Sequence, residues 1–162
     1  MTTVAAEVSV RTASELLELW QGHRRLTRRV IDAFPEDKLF TYSAGGMRPF
    51  SEMAMEFIRM AVPIADGVGT GKWAEWSEGA GARPTTKAEL LRLWDAQTAQ
   101  LNESFAAIPP QRFSAVDKAF GQWEGKGIDT IQYAIDNEIH HRGQGYVYLR
   151  ELGIEPPHFW ER

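Results

Sequence analysis

The polar residues that could do chemistry gather in one helical stretch, IDTIQYAIDNEIHHRGQGYVYLRELG, at residues 128–153. At about 100° per residue, Ile131, Ala134, Ile135, Tyr148, Leu149 and Leu152 define its buried side. Glu138 and Arg142 then fall near the centre of that stripe, four residues apart, where a charge demands a partner. Their expected role is a structural ion pair. His141 lies on the flank of the same stripe with Asn137 one turn earlier, and His140 points to solvent. Side chains at i and i+4 can converge on one ion. Two polar residues elsewhere add to the pair: Glu56 at the edge of its own apolar stripe, and His23 in the middle of another. Bundles build metal sites from carboxylates and imidazoles on facing helices. The same groups would also serve as a satisfied polar cluster, and spacing alone leaves both readings open. Tyr148 shares the His141 face and is a candidate to reach a ligand through its hydroxyl.

Four helical patterns must position these residues. The first runs near 14–34, with apolar residues from Leu16 to Phe34, Ser14 as its cap and Pro35 as its stop. The second runs near 49–68 on a seam of Phe50, Phe57 and Ile64, with Pro63 expected to kink it or end it early. The third, near 86–108, opens on a capping box at Thr86 and Glu89 and stops at Pro109-Pro110. The fourth, near 128–152, ends at Gly153. The segments PEDKLFTYSAGG, 69–84 and 109–127 read as loops, and no strand pattern stands out. Trp73 and Trp76 are expected to pack over the bundle, and Gly143 and Gly145 to admit another backbone closely. The basic run from His23 to Arg29 reads as the solvated face of the first helix. The fold these patterns predict is all-α, an antiparallel four-helix bundle.

Composition bounds the function. A chain of 162 residues suits a single domain spanning 1–162, large enough for a core without staples. With no cysteine it holds no disulfide, thiolate metal site or Cys nucleophile. The net charge of −4 argues against nucleic acid as a partner. No apolar run approaches a membrane span, and MTTVAAEVSV lacks the pattern of a signal peptide, so the expected location is the cytoplasm.

GMRPFSEMAMEFIRMA at 46–61, DNEIHHRGQGYVYLRELGIEPPHF at 136–159 and the opening IDAFPEDKLF resemble the DinB-like (DinB/YfiT) superfamily across nearly the whole chain. The resemblance implies a four-helix bundle, often a homodimer, with a divalent metal at one end. Members with assigned functions include thiol-dependent S-transferases and isomerases acting on small molecules. The family's usual ligands are three histidines. His141 matches one of them, whereas Asn137 and Glu56 stand at the other two positions. The implied site is thus oxygen-richer, rescued by His23 as a reserve ligand, or absent. A Glu for a His shifts preference from Zn toward Mn, Fe or Ni. Two functions follow as expectations. One is a metal-dependent enzyme of hydrolase or thiol-dependent transferase type, its thiol supplied by a cosubstrate. The other is a non-catalytic small-ligand-binding or stress-response protein with a degraded site.

Overall fold

The computed structural model describes residues 10–76 and 81–162. Most of the sequence read for a signal peptide, and part of the Gly-rich loop at 69–84, lie outside them. The first helix, α1, spans Ala13–Ala33. Its cap is Thr12 rather than Ser14: the Thr12 hydroxyl accepts from the Glu15 amide, and the Glu15 carboxylate accepts from the Thr12 amide. That reciprocal box satisfies two otherwise orphaned donors. Helix α2, Glu36–Thr41, lies where a loop was expected. Six residues are too few to show an apolar period, and Leu39 alone buries itself.

Helix α3 spans Phe50–Thr70 without a break at Pro63 and ends at the left-handed Gly71. The expected early stop does not occur, because packing on two faces outweighs the one backbone bond that proline removes. Phe50, Phe57 and Ile64 are all buried on its seam. Helix α4, Lys87–Ala106, carries the expected Thr86–Glu89 capping box and buries Leu90, Trp94, Leu101 and Phe105. A 3₁₀ turn at Pro110–Phe113 leads into a hairpin that the sequence pattern did not reveal. Its strands β1 (Val116–Ala119) and β2 (Trp123–Lys126) pair antiparallel, with Val116 opposite Lys126 and Ala119 opposite Trp123. The hairpin feeds α5, Gly127–Glu151.

The architecture is mostly helical, with α3 packed on α4 and α5, and α1 packed on the same two helices. Contacts between α3 and α5 run in opposite order along the chain: Val68 meets Gly127, Glu56 meets Asn137 and Phe50 meets Gly145. No helix among the described residues is long and apolar enough to cross a membrane.

Gly145 is a position where α5 and α3 demand a glycine, to admit a side-chain ring rather than the backbone expected from the sequence. A Cβ there would lie 2.5 Å from the buried Phe50 ring, itself stacked on Phe34 at 5.1 Å. Gly143, by contrast, faces open space, so the close approach expected there is absent. Gly145→Ala should therefore cost about 1–3 kcal/mol through overpacking. Gly143→Ala should be neutral or stabilise by up to about 1 kcal/mol through helix propensity. Thermal melts of the two variants should shift in these different directions, and equal shifts would contradict the packing argument.

The basic run is only partly a solvated face. Arg25, Arg28 and Arg29 are exposed or half-exposed, the last two pairing with Asp95 and Glu161. Arg24 is fully buried, its guanidinium 4.1 Å from the Trp94 ring centre and hydrogen-bonded to Thr98 and Gln97. Its inward position depends on partners from α4, which no local pattern records.

Candidate functional site

Two polar clusters lie on either side of α5. The first is open to a cavity. From α3, the Glu56 carboxylate accepts from Asn137 Nδ2 at 2.9 Å on Oε1 and from Arg48 at 2.5 Å on Oε2. His141 Nε2 stands 3.6 Å from the same Oε1. Helical spacing puts Asn137 and His141 on one face of α5, and the crossing with α3 brings Glu56 to them. The His141 ring stacks against Phe57 and Gln144 Oε1 lies 2.7 Å from its Nδ1, which fixes the imidazole orientation. A hydrogen bond on the second ring nitrogen is what holds a ligating histidine in one orientation.

The electrostatics follow from this geometry. With Nδ1–H donating to Gln144, a neutral His141 would aim its Nε2 lone pair at a carboxylate oxygen. At 3.6 Å that contact is no hydrogen bond, and only a positive charge on or between the two groups makes it favourable. Glu56 accordingly holds the His141 imidazole above its usual range. In return His141, then Arg48 and Asn137, hold the Glu56 carboxyl down at about 2 against the opposing effect of burial. One atom remains unanswered: Asn137 Oδ1 is buried and has no hydrogen-bond partner.

The second cluster is closed. Glu138, 1% exposed, accepts from Thr27 at 2.5 Å and lies 3.9 Å from Arg142, with Arg24 also acting on its charge. Arg142 donates to the His23 carbonyl, to Thr27 and to His23 Nδ1. The ion pair expected between Glu138 and Arg142 is therefore one edge of a larger network. His23 belongs here. One ring nitrogen faces Arg142 and the other lies 3.5 Å from Arg162, and burial followed by these guanidiniums drives its pKa down to about 4.

The structure thus brings Glu56, Asn137 and His141 together and places His23 among arginines, away from the role of reserve ligand. Tyr148 is also placed differently from the expectation. It is fully buried, packs edge-on against Tyr42, and donates its hydroxyl to the Arg48 carbonyl at 3.0 Å. It positions the Arg48 backbone instead of facing a ligand. Arg48 and Gln144 are the residues that sequence reasoning missed. Gln144 carried a signal, three residues beyond His141 on the same helix side, whereas Arg48 precedes its helix and is placed by the chain turn at Pro49.

Glu56 lines a cavity of about 1060 Å³ that follows α3 between Arg48 and Ile64. Its other walls come from the hairpin, the start of α5 and the segment around Trp76 and Arg83. Among the described residues no three His, Cys, Asp or Glu side chains converge as a metal-binding group. A divalent ion would instead draw on one imidazole, one carboxylate and one amide oxygen. Those donors suit it: the 3.6 Å between His141 Nε2 and Glu56 Oε1 matches two ligands sharing an ion at about 2.1 Å each, and Asn137 Oδ1 is an unused third.

A helical protein with a carboxylate–imidazole–amide cluster opening on a cavity is the class that fold and site define. The DinB family model matches residues 85–162. The Bacillus subtilis (strain 168) protein YjoA is 21% identical over 151 residues, covering 93% of this chain and 97% of its own. The crystal structure of YjoA, a DinB-like protein, has a TM-score of 0.72 at 20% identity, covering 91% of this chain and 97% of that one. A DinB-like protein from Bacillus cereus ATCC 10987 scores 0.72 at 19% identity with the same coverage. A mutant of the mycothiol-dependent maleylpyruvate isomerase scores 0.63 at 13% identity, over 83% of this chain and 61% of that one. The C-terminal part of the chain thus matches the DinB family model, and its fold is similar to that of DinB-like proteins.

Proposed function

We propose that this chain, an antiparallel four-helix bundle of the DinB-like type, is a metal-dependent enzyme acting on a small molecule. The reaction class is hydrolase or thiol-dependent transferase. His141 Nε2, Glu56 Oε1 and Asn137 Oδ1 would hold the ion, the last after rotation of its amide. The carrying observation is the facing of His141 Nε2 and Glu56 Oε1, 3.6 Å apart, beside a buried amide oxygen with no partner. A divalent ion there supplies Lewis acidity toward a substrate oxygen or thiol. The chain's own residues set the rest. Gln144 fixes the imidazole, Arg48 orients the carboxylate from its outer oxygen, and Phe57 screens the ring from water. With no cysteine in the chain, a thiol would come from a cosubstrate, and the mycothiol-dependent neighbour favours that source. The mixed N/O donors favour Mn, Fe or Ni over Zn.

Arg48 supports a second reading. Its guanidinium already neutralises Glu56, and a protonated His141 completes the balance without metal, leaving a ligand-binding pocket with no ion. Calorimetric titration of chelator-treated protein with Mn, Ni and Zn separates the two. The first reading expects micromolar binding, weaker at low pH because the ion displaces the His141 proton, and lost in both His141→Ala and Glu56→Ala. Failure of all three ions to bind would leave the second.

A further inference from the structure

The cavity changes character along its length. At about 1.5 Å per helical residue, Glu52 lies roughly 6 Å from Glu56 along α3 and Ile64 roughly 12 Å from it in the other direction, while the Arg48 side chain reaches back to pair with Glu56. The stretch up to Glu56 carries the polar side chains of Arg48, Ser51 and Glu52, with Met55 and Phe40 beside them. Beyond Glu56, Met60 and Ile64 form an apolar floor, with Arg59, Glu124 and Asp129 among the polar side chains of the walls. Rings close over that floor. Phe120, at the tip of the hairpin, meets Trp76 at 5.4 Å and Trp123 at 6.2 Å, both edge to face. Trp123 and Tyr133 line the same cavity and remain 54% and 60% exposed, large apolar surfaces left uncovered at its rim.

Phe120 is held there against its own backbone preference. It has φ of 51°, the one positive value at a non-glycine among the described residues, and its neighbour Gly121 has φ of 71°. A side-chain-bearing residue in this region costs of order 1 kcal/mol or more, and a glycine or asparagine would fit the turn with less strain. The conformation turns the ring inward, where it is 8% exposed and makes a hub for Trp73, Trp76 and Trp123. Edge-to-face arrays extend readily to one more ring.

We propose that the hairpin end of this cavity binds the aromatic ring of an elongated ligand whose polar, reacting end lies at Glu56, with Phe120 as the residue that selects the ring. The assignment deepens the enzymatic reading of the same cavity and rests on it for the word substrate. Ring binding itself needs no ion, so it is tested on chelator-treated protein. The probes are 2-naphthol and, as a chain-like counterpart without a ring system, 1-octanol. The readout is the set of indole N–H signals in a two-dimensional NMR spectrum of the ¹⁵N-labelled full chain, assigned with Trp→Phe variants.

The expected result is a saturable shift of the Trp76 and Trp123 signals with 2-naphthol, at least tenfold tighter than with 1-octanol. The core indoles of Trp20 and Trp94 should not move. Phe120→Gly, which suits the positive φ and removes only the ring, should weaken 2-naphthol binding at least tenfold while the remaining indole dispersion shows a folded chain. Phe120→Leu should retain 1-octanol binding and lose the preference for the ring. Equal affinity for the two probes, no saturable shift with either, or unchanged 2-naphthol binding in Phe120→Gly would each overturn the proposal. Loss of ion binding in the calorimetric titration bears on the enzyme reading alone and leaves this outcome independent.

Discussion

Glu138→Gln is expected to lower the unfolding free energy by about 3–5 kcal/mol, the range for removing one partner of a buried charge set. The reason lies in the charge count of the closed cluster. Arg24 and Arg142 are 0% and 5% exposed, and Glu138 is the buried carboxylate acting on both. Burial pushes the Glu138 carboxyl up and both guanidiniums down, each shift being the price of desolvation that the mutual attraction offsets. A glutamine keeps the shape and the acceptor for Thr27 while leaving two guanidiniums without their counter-charge. Thr27→Val, which removes one hydroxyl from the same network, should cost only about 1–3 kcal/mol. Arg28→Ala breaks an exposed pair with Asp95 and should cost about 1 kcal/mol or less. Urea unfolding of the three variants at one pH provides the ranking. If Glu138→Gln left stability unchanged while abolishing ligand binding, the cluster would be functional and the structural assignment wrong.

How much of this was legible in the sequence depends on how local each cause is. The seams were legible, since Phe50, Phe57 and Ile64 on α3 and Trp94, Leu101 and Phe105 on α4 repeat at helical spacing and bury as read. The Glu56–Asn137–His141 grouping was legible through helix faces together with the family resemblance. The hairpin was not. Four-residue strands carry too little alternation, and β2 contains Gly125, a poor strand former. What holds the hairpin is tertiary: Asp117 pairs with Arg112, and Phe120 sits among tryptophans from another loop. Arg24 was misread for a related reason. A basic residue in a run of basic residues looks solvated, and only Thr98, Gln97 and Trp94 on α4 explain its burial. His23 was read toward a metal because its place in the seam showed that it was buried but gave no sign of which charges faced it.

Those charges produce the last prediction: in chelator-treated protein His23 and His141 contribute to the pH dependence of stability with opposite signs, His23 below about pH 6.5 and His141 above it. Both are superimposed on the buried Glu138, whose raised carboxyl pKa opposes the His23 slope. His23 in the folded state titrates at about 4, against an ordinary value of 6.5, because burial, Arg142 and Arg162 disfavour its charge and Asp136 opposes them only weakly. A depressed histidine pKa means that the unfolded chain binds the proton first as pH falls. The His23 contribution is therefore full above 6.5 and declines between 6.5 and about 4, by about 3 kcal/mol at 1.36 kcal/mol per pKa unit. His141 behaves with the opposite sign. Its pKa is raised, chiefly by Glu56, so its contribution is complete below 6.5 and is lost as pH rises through the folded value. Glu56 itself, held at about 2, keeps its contribution down to the ordinary carboxylate value of 4.5 and adds a further loss below it. His23→Gln, which can still accept from Arg142, should remove the His23 decline between pH 6.5 and 4.5 and leave the dependence above pH 6.5. His141→Gln should do the reverse. Urea unfolding across pH 4–9 measures both, and a pH dependence below 6.5 that survives unchanged in His23→Gln would place the titrating group elsewhere than beside Arg142.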